Sequence, residues 1–82
     1  MGGLESKSQL LKDIAQAIHV DPTEMSLTST NEDFDEWDSM GVLEILTMLD
    51  SKYGLRVGAG EASACNSVAG IVQLLESKDL LS

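Results

Sequence analysis

The segment from Ser39 to Tyr53 constrains the fold of this chain most strongly, because its apolar residues recur at helical spacing. A helix turns by 100° per residue, so one set of these residues falls on a single face. That face is expected to lie in the core and comprises Val42, Ile45, Leu46, Leu49 and Tyr53. Gly54 follows directly, and glycine commonly ends a helix by adopting the left-handed conformation. The segment therefore predicts an amphipathic helix over residues 39–53.

Helical spacing also recurs near both ends of the chain. The first such segment runs from about Glu5 to His19, and Asp21-Pro22 is expected to end it, because a residue before proline avoids the α region. This places His19 in the last helical turn. Its predicted core face comprises Leu10, Leu11, Ile14, Ala17 and Ile18.

The last predicted helix begins after Ser67, a typical capping residue. Its apolar stripe comprises Val68, Ile71, Val72 and Leu75. Gly70 interrupts this stripe at a cost of about 1 kcal/mol relative to alanine, which favours a close packing contact there. The preceding residues, Glu61 to Cys65, are sufficient for only a short helical turn.

These segments predict an all-α protein, a four-helix bundle in a single domain spanning residues 1–82. It has three main helices and one short helix, which is the third in chain order. A long connection, about residues 20–38, is rich in Thr, Ser, Asn and acidic residues. Loops of this length in small domains are usually functional or partly structured. Its large apolar residues are expected to fix it to the helices: Met25, Leu27, Phe34 and Trp37.

The charge of the chain restricts its partners. Fourteen acidic and five basic residues give a net charge of −9, which argues against nucleic acid and favours proteins with basic surfaces. No apolar run approaches the roughly 20 residues of a membrane span. Cys65 is the single cysteine, so an internal disulfide is excluded and a reducing, cytoplasmic location is expected.

Two metal sites can be rejected from the sequence. One cysteine and one histidine are too few for a structural zinc site. The spacing of Asn31, Asp33 and Asp35 suggests a calcium loop, but Glu36 stands where glycine is required and Val42 where the closing glutamate is required. A solvated acidic loop explains this stretch better.

Ser39 has a structural and a functional interpretation. Asp38-Ser39 lies at the start of the central helix, and either side chain can accept hydrogen bonds from the first turn of that helix. In the structural interpretation, Ser39 serves only as a helix cap. A helix N-terminus also stabilises phosphate, so the same position suits a phosphodiester on Ser39. A hydrolase using Ser39 is a weaker hypothesis, because His19 is the only imidazole and no oxyanion site is evident.

Several motifs in combination resemble the acyl carrier protein family. They are Asp38-Ser39-Met40, Glu44, Leu49, Tyr53-Gly54-Leu55-Arg56-Val57 and Ser67-Val68, and the resemblance extends from about Leu10 to Leu75. It implies a right-handed four-helix bundle that carries 4′-phosphopantetheine on Ser39. The thiol of this arm would hold acyl or aminoacyl groups as thioesters, and the protein would have no catalysis of its own.

The same resemblance implies partners and their contact residues. Asp38 would assist a phosphopantetheinyl transferase through its magnesium ion. Helix 39–53 would be recognised by that enzyme and by the acyl- or aminoacyl-loading and downstream synthase enzymes, with the chain acting as a monomer. The partner-facing positions would be Met40, Leu43, Glu44, Thr47 and Met48. Cys65 would be a small core residue. The competing hypothesis is an acidic helical interaction domain in which Ser39 is only a helix N-cap.

Some positions depart from the pattern of family members that serve fatty-acid synthesis. Gly41, Ser51 and Lys52 stand where those proteins often have acids, and Trp37 replaces a small residue. Asp-Ser-Met-Gly also resembles D-alanyl carrier proteins, and Trp-Asp-Ser resembles specialised stand-alone carriers. These departures favour a specialised lipid, polyketide or aminoacyl pathway. They also predict that Gly41→Asp with Lys52→Glu would improve loading by a fatty-acid-type malonyl transferase.

Overall fold

Three α-helices form the frame of the protein. A computed structural model describes residues 7–80, in which α1 spans Lys7–Ala17, α2 spans Ser39–Tyr53 and α3 spans Val68–Ser77. Three 3₁₀ segments, Pro22–Glu24, Asn31–Asp33 and Ala59–Asn66, complete the regular structure of this part of the chain. The all-α prediction is confirmed, and the short third helix is the 3₁₀ helix Ala59–Asn66.

The core lies where the three α-helices and the 3₁₀ helix Ala59–Asn66 meet. Within α2, Ile45 and Leu49 are fully buried and Tyr53 is nearly so, whereas Val42 and Leu46 are half-buried at the edge. The sequence therefore identified the inward face of this helix. The fully buried side chains are Trp37, Leu10, Ile14, Ile18, Ile45, Leu49, Ile71, Leu75, Val68 and Cys65.

Helix α1 ends earlier than the sequence predicted. His19 adopts a left-handed conformation with φ of 63°. The N–H of Val20 donates to the carbonyl of Ala15, and the N–H of His19 donates to that of Gln16, which is a Schellman motif. The helix thus stops before Asp21-Pro22, and His19 lies beyond its last turn. The predicted start at Glu5 lies outside the described residues.

The connection between α1 and α2 is well anchored. Thr30 and Asp33 form a capping box around the turn Asn31–Asp33, and the carbonyl of Ser29 accepts a hydrogen bond from the N–H of Val68 at the start of α3. Met25 and Trp37 are buried and Phe34 is half-buried, as predicted. The prediction for Leu27 is wrong, because 46% of this side chain is exposed.

A buried carboxylate joins α1 to the end of α2. Asp13 is only 3% exposed, and it accepts hydrogen bonds from Tyr53 Oη at 2.8 Å, Lys52 Nζ at 3.1 Å and Gln9 Nε2 at 3.2 Å. Buried charges are tolerated when they are paired and hydrogen-bonded in this way. Lys52 therefore serves the fold, and Lys52→Glu would place a second carboxylate beside Asp13.

Helix α3 packs closely against the 3₁₀ helix Ala59–Asn66. Ser67 caps α3, because its Oγ accepts a hydrogen bond from the N–H of Gly70 at 3.0 Å. A Cβ added at Gly70 would lie 2.1 Å from the carbonyl oxygen of Ala64. This close approach explains why glycine interrupts the apolar stripe of α3, as the sequence predicted.

Candidate functional site

The N-terminus of α2 is capped by Asp38. The Oδ1 atom of Asp38 accepts a hydrogen bond from the N–H of Gly41 at 3.0 Å, and its carbonyl oxygen accepts one from the N–H of Val42 at 2.9 Å. Ser39 is the first residue inside the helix. The hypothesis that Ser39 serves only as the N-cap is therefore wrong, because its neighbour performs that task.

The side chain of Ser39 is exposed and available for chemistry. Its hydroxyl makes no hydrogen bond to another residue that the structure describes. The backbone N–H groups of Ser39 and Met40 likewise find no acceptor among residues 7–80. Such free N–H groups, with the dipole of a 15-residue helix, favour an anion at this end. A phosphodiester on Ser39 fits this position.

The carboxylate of Asp38 has capacity beyond its capping role. Its side chain is exposed, and only Oδ1 takes a hydrogen bond from the described residues. The second oxygen, Oδ2, is directed to no donor in this part of the chain. A carboxylate oxygen of this kind is a suitable ligand for a divalent cation brought by another protein.

Trp37 fixes the backbone that precedes Asp38 and Ser39. Its side chain is 1% exposed, and its Nε1–H donates a hydrogen bond to the carbonyl oxygen of Cys65 at 3.0 Å. The loop before α2 is thereby attached to the 3₁₀ helix Ala59–Asn66. The backbone that leads into α2 and Ser39 is therefore anchored to the core.

An open cleft of about 670 Å³ lies directly beside Ser39. Trp37 contributes to its lining, together with aliphatic side chains of α2 and polar side chains from the facing segments. The complete lining is Asn31, Trp37, Asp38, Ser39, Val42, Leu43, Leu46, Ala62, Ser63 and Asn66. A group attached to Ser39 can therefore reach both apolar and polar surface.

Four of the five predicted partner-facing residues are exposed on α2. They are Met40, Leu43, Glu44 and Thr47, of which Met40 and Leu43 are 64% and 55% exposed. Met48 is a correction, because it is only 8% exposed. It lines a second cleft, of about 370 Å³, between α1 and α2. The packing of α1 against α2 covers this flank of the helix.

Gly41 is also unsuited to the role that the sequence comparison gave it. It is buried, and a Cβ there would lie 2.4 Å from the carbonyl oxygen of Glu36 and 3.1 Å from Cγ2 of Ile18. Gly41→Asp would therefore disturb the approach of the loop to α2. Because Lys52 also pairs with the buried Asp13, the proposed double substitution would perturb the fold and is unsuitable as a test of surface charge.

His19 faces α2 instead of the serine hydroxyl. Its Nε2 lies 3.3 Å from Oε1 of Glu44, and this contact is ionic when the imidazole is protonated. Ser39 accepts or donates no hydrogen bond with any imidazole in the described residues. The nucleophile–base pairing that a serine hydrolase needs is not formed here.

Cys65 is fully buried, and burial, assisted by the charge of Glu61, raises the pKa of its thiol from 9.0 to about 11. We expect this thiol in the unmodified protein to react with a disulfide reagent at pH 8 at least about a hundredfold more slowly than in denaturant, because the thiolate is the reacting form. The sign follows from the raised pKa: below pH 9 the folded protein holds less thiolate than the unfolded chain. Absorbance kinetics with and without denaturant measure the ratio, and equal rates would contradict the prediction.

Two important contacts could not be found from the sequence. Trp37 was predicted to fix the loop, but nothing marks the carbonyl of Cys65 as its acceptor. Asp13 reads as a surface residue of α1, and its burial depends on donors about 40 residues away. The proximity of Asp38 to Ser39, in contrast, is set by the chain itself.

The comparisons with known proteins gave one match. A family model described as "Phosphopantetheine attachment site" matches residues 8–75, from α1 to the buried part of α3, and includes Asp38 and Ser39. No curated protein and no solved structure matches the chain. Across residues 7–80, none of the helices is both long and apolar enough to cross a membrane.

Proposed function

Because the chain belongs to the acyl carrier protein family, defined by a phosphopantetheine attachment site, we propose that Ser39 is the residue that carries 4′-phosphopantetheine. The family model implies that this cofactor is covalently attached. The observation that supports Ser39 is its unused hydroxyl at the first position of α2, beside a capping residue that leaves it free. Its exposure allows a modifying enzyme to reach it.

In the attachment step, Ser39 Oγ attacks the phosphorus atom of coenzyme A that bears the pantetheine arm. A new P–O bond forms to Ser39 while the P–O bond to the adenosine 3′,5′-bisphosphate leaving group breaks, and the hydroxyl proton passes to a base of the transferase. Asp38 Oδ2 would be available as a ligand for the magnesium ion of that enzyme. The first-turn N–H groups of α2 then stabilise the phosphodiester.

The attached arm supplies a terminal thiol that holds acyl or aminoacyl groups as thioesters. The protein presents these groups to the enzymes of a specialised lipid, polyketide or aminoacyl pathway and catalyses no reaction itself. Its own residues contribute a fixed attachment point and a cleft beside it. Cys65 does not compete for the cargo, because its thiol is fully buried in the core.

The partner surface consists of the exposed residues at the start of α2, Met40, Leu43, Glu44 and Thr47. Exposed apolar side chains next to an acid suit a basic enzyme surface with apolar contacts at its centre. The excess of acids over bases steers such enzymes toward the carrier. The protein acts as a cytoplasmic monomer, which visits the transferase, the loading enzyme and the synthase in turn.

Incubation with coenzyme A and a promiscuous phosphopantetheinyl transferase tests the proposal. We expect intact-mass spectrometry to show the addition of one phosphopantetheinyl group per chain, and fragmentation to place it on Ser39. Modification at another residue, or an unchanged mass under conditions that modify an established carrier, would contradict it. Omission of coenzyme A is the control.

A further inference from the structure

We propose that Trp37 closes the helical core to the carried group, so that this protein carries short or polar acyl groups, which remain outside the core. The inference rests on the proposed attachment at Ser39. It concerns the space that the arm meets once it is attached. The boundary between the helical core and the cleft beside Ser39 lies between α2 and the 3₁₀ helix Ala59–Asn66.

Trp37 occupies the inner side of this boundary. It is the largest fully buried side chain of the described residues and lies two positions before Ser39. It belongs to the same buried cluster as Ile45, Cys65 and Val68, each of which is fully buried. The interior next to the attachment point is thus already filled by an indole ring, and protein interiors pack at the density of organic crystals.

The indole is held in place by a directional bond as well as by packing. Its Nε1–H donates to the carbonyl oxygen of Cys65, which lies in the 3₁₀ helix on the far side of the boundary. A long alkyl chain that entered here would have to displace the ring and separate this pair. Both polar groups would then be buried without partners, which is unfavourable.

The outer part of the cleft suits a different cargo. Val42 and Leu46 offer a half-buried aliphatic wall, whereas Asn31, Ser63 and Asn66 present exposed amide and hydroxyl groups opposite the helix. A short acyl group can contact the wall, and a polar group on it, such as a hydroxyl or amine, can hydrogen-bond to the rim. This chemistry favours short hydroxyacyl, aminoacyl or small acyl thioesters over long saturated chains.

A chain-length series on the loaded wild-type protein tests the proposal. Acetyl, butyryl, hexanoyl and octanoyl forms are prepared by transferring each acyl-phosphopantetheine from its coenzyme A thioester, and loading is verified by mass. Each buried methylene would raise Tm by about 3–6 °C in a domain of this size. We expect acetyl and octanoyl forms to differ by less than about 3 °C, and a steady rise with chain length would overturn the proposal.

Trp37→Leu provides the second test, because it removes the ring while keeping the site apolar. We expect the octanoyl form of this variant to melt about 6 °C or more above its acetyl form. Leu10→Ala creates space in the core beside α1, away from the cleft. In this control, Tm should not change with acyl chain length. A flat series for Trp37→Leu would show that Trp37 is not the barrier. If this variant does not fold, the wild-type series still decides whether the core is closed, and failure to load the wild type would instead contradict attachment at Ser39.

Discussion

Ser39→Ala is expected to abolish phosphopantetheine attachment while leaving the fold intact. The variant should keep its unmodified mass after prolonged incubation with coenzyme A and transferase, because alanine leaves no hydroxyl at the first position of α2 to accept the group. Its free energy of unfolding should change by less than about 0.5 kcal/mol, since the side chain is exposed and makes no hydrogen bond to the described residues. Intact mass and denaturant unfolding measure the two properties.

Ser67→Ala is the matched control, because it alters a serine with the opposite role. Ser67 caps α3 through a hydrogen bond from the N–H of Gly70. Its loss should cost about 0.5–2 kcal/mol of stability and leave attachment complete. The assignment of Ser39 would be refuted by a modified Ser39→Ala protein. A Ser39→Ala protein that is as destabilised as the control would refute the division between capping and attachment.

Gly70→Ala is expected to destabilise the protein, although alanine is the better helix former. Helix propensity alone predicts a gain of about 1 kcal/mol. The added Cβ, however, would lie 2.1 Å from the carbonyl oxygen of Ala64, a backbone atom that can move only if α3 and the 3₁₀ helix Ala59–Asn66 separate. Overpacking costs about 1–3 kcal/mol, and a clash with backbone belongs at the upper end of that range. Subtracting the propensity gain of about 1 kcal/mol from about 3 kcal/mol gives an expected net loss of about 2 kcal/mol and a decrease in Tm of about 8–16 °C.

Gly58→Ala makes the same chemical change where there is space. Gly58 has φ of −75°, and a Cβ there meets nothing within 4 Å. This control should leave stability unchanged or raise it by about 0.4–1 kcal/mol, because alanine restricts the unfolded chain. Circular dichroism melts of the two variants provide the comparison. If Gly70→Ala were at least as stable as the wild type, the close packing described for α3 would be incorrect.

The sequence predicted those parts of the fold that depend on local signals. The bounds of α2 were correct, because its apolar period is regular and Gly54, with φ of 67°, ends it in the expected conformation. The predicted cap of α3 at Ser67 was also correct, because a serine directly before an apolar stripe is a local signal. The predicted end of α1 was wrong, because His19 adopts a left-handed conformation, which is uncommon for residues other than glycine.

The errors at the candidate site have a common cause in tertiary packing. A helical wheel places Met48 at the flank of the exposed face, but it does not show that α1 covers that flank. Gly41 was treated as a surface position because related carriers often have an acid there, yet the carbonyl of Glu36 lies against it. Ser39 was identified through the family resemblance, and only the structure shows that Asp38 alone provides the cap.

The assignment of the cap to Asp38 implies that folding of this protein does not depend on modification of Ser39. Since the hydroxyl of Ser39 supports no part of the described fold, the chain can complete folding before any modifying enzyme arrives. If Ser39 is the attachment site, we therefore expect the protein to have the same fold with and without the arm, so that attachment requires no unfolding.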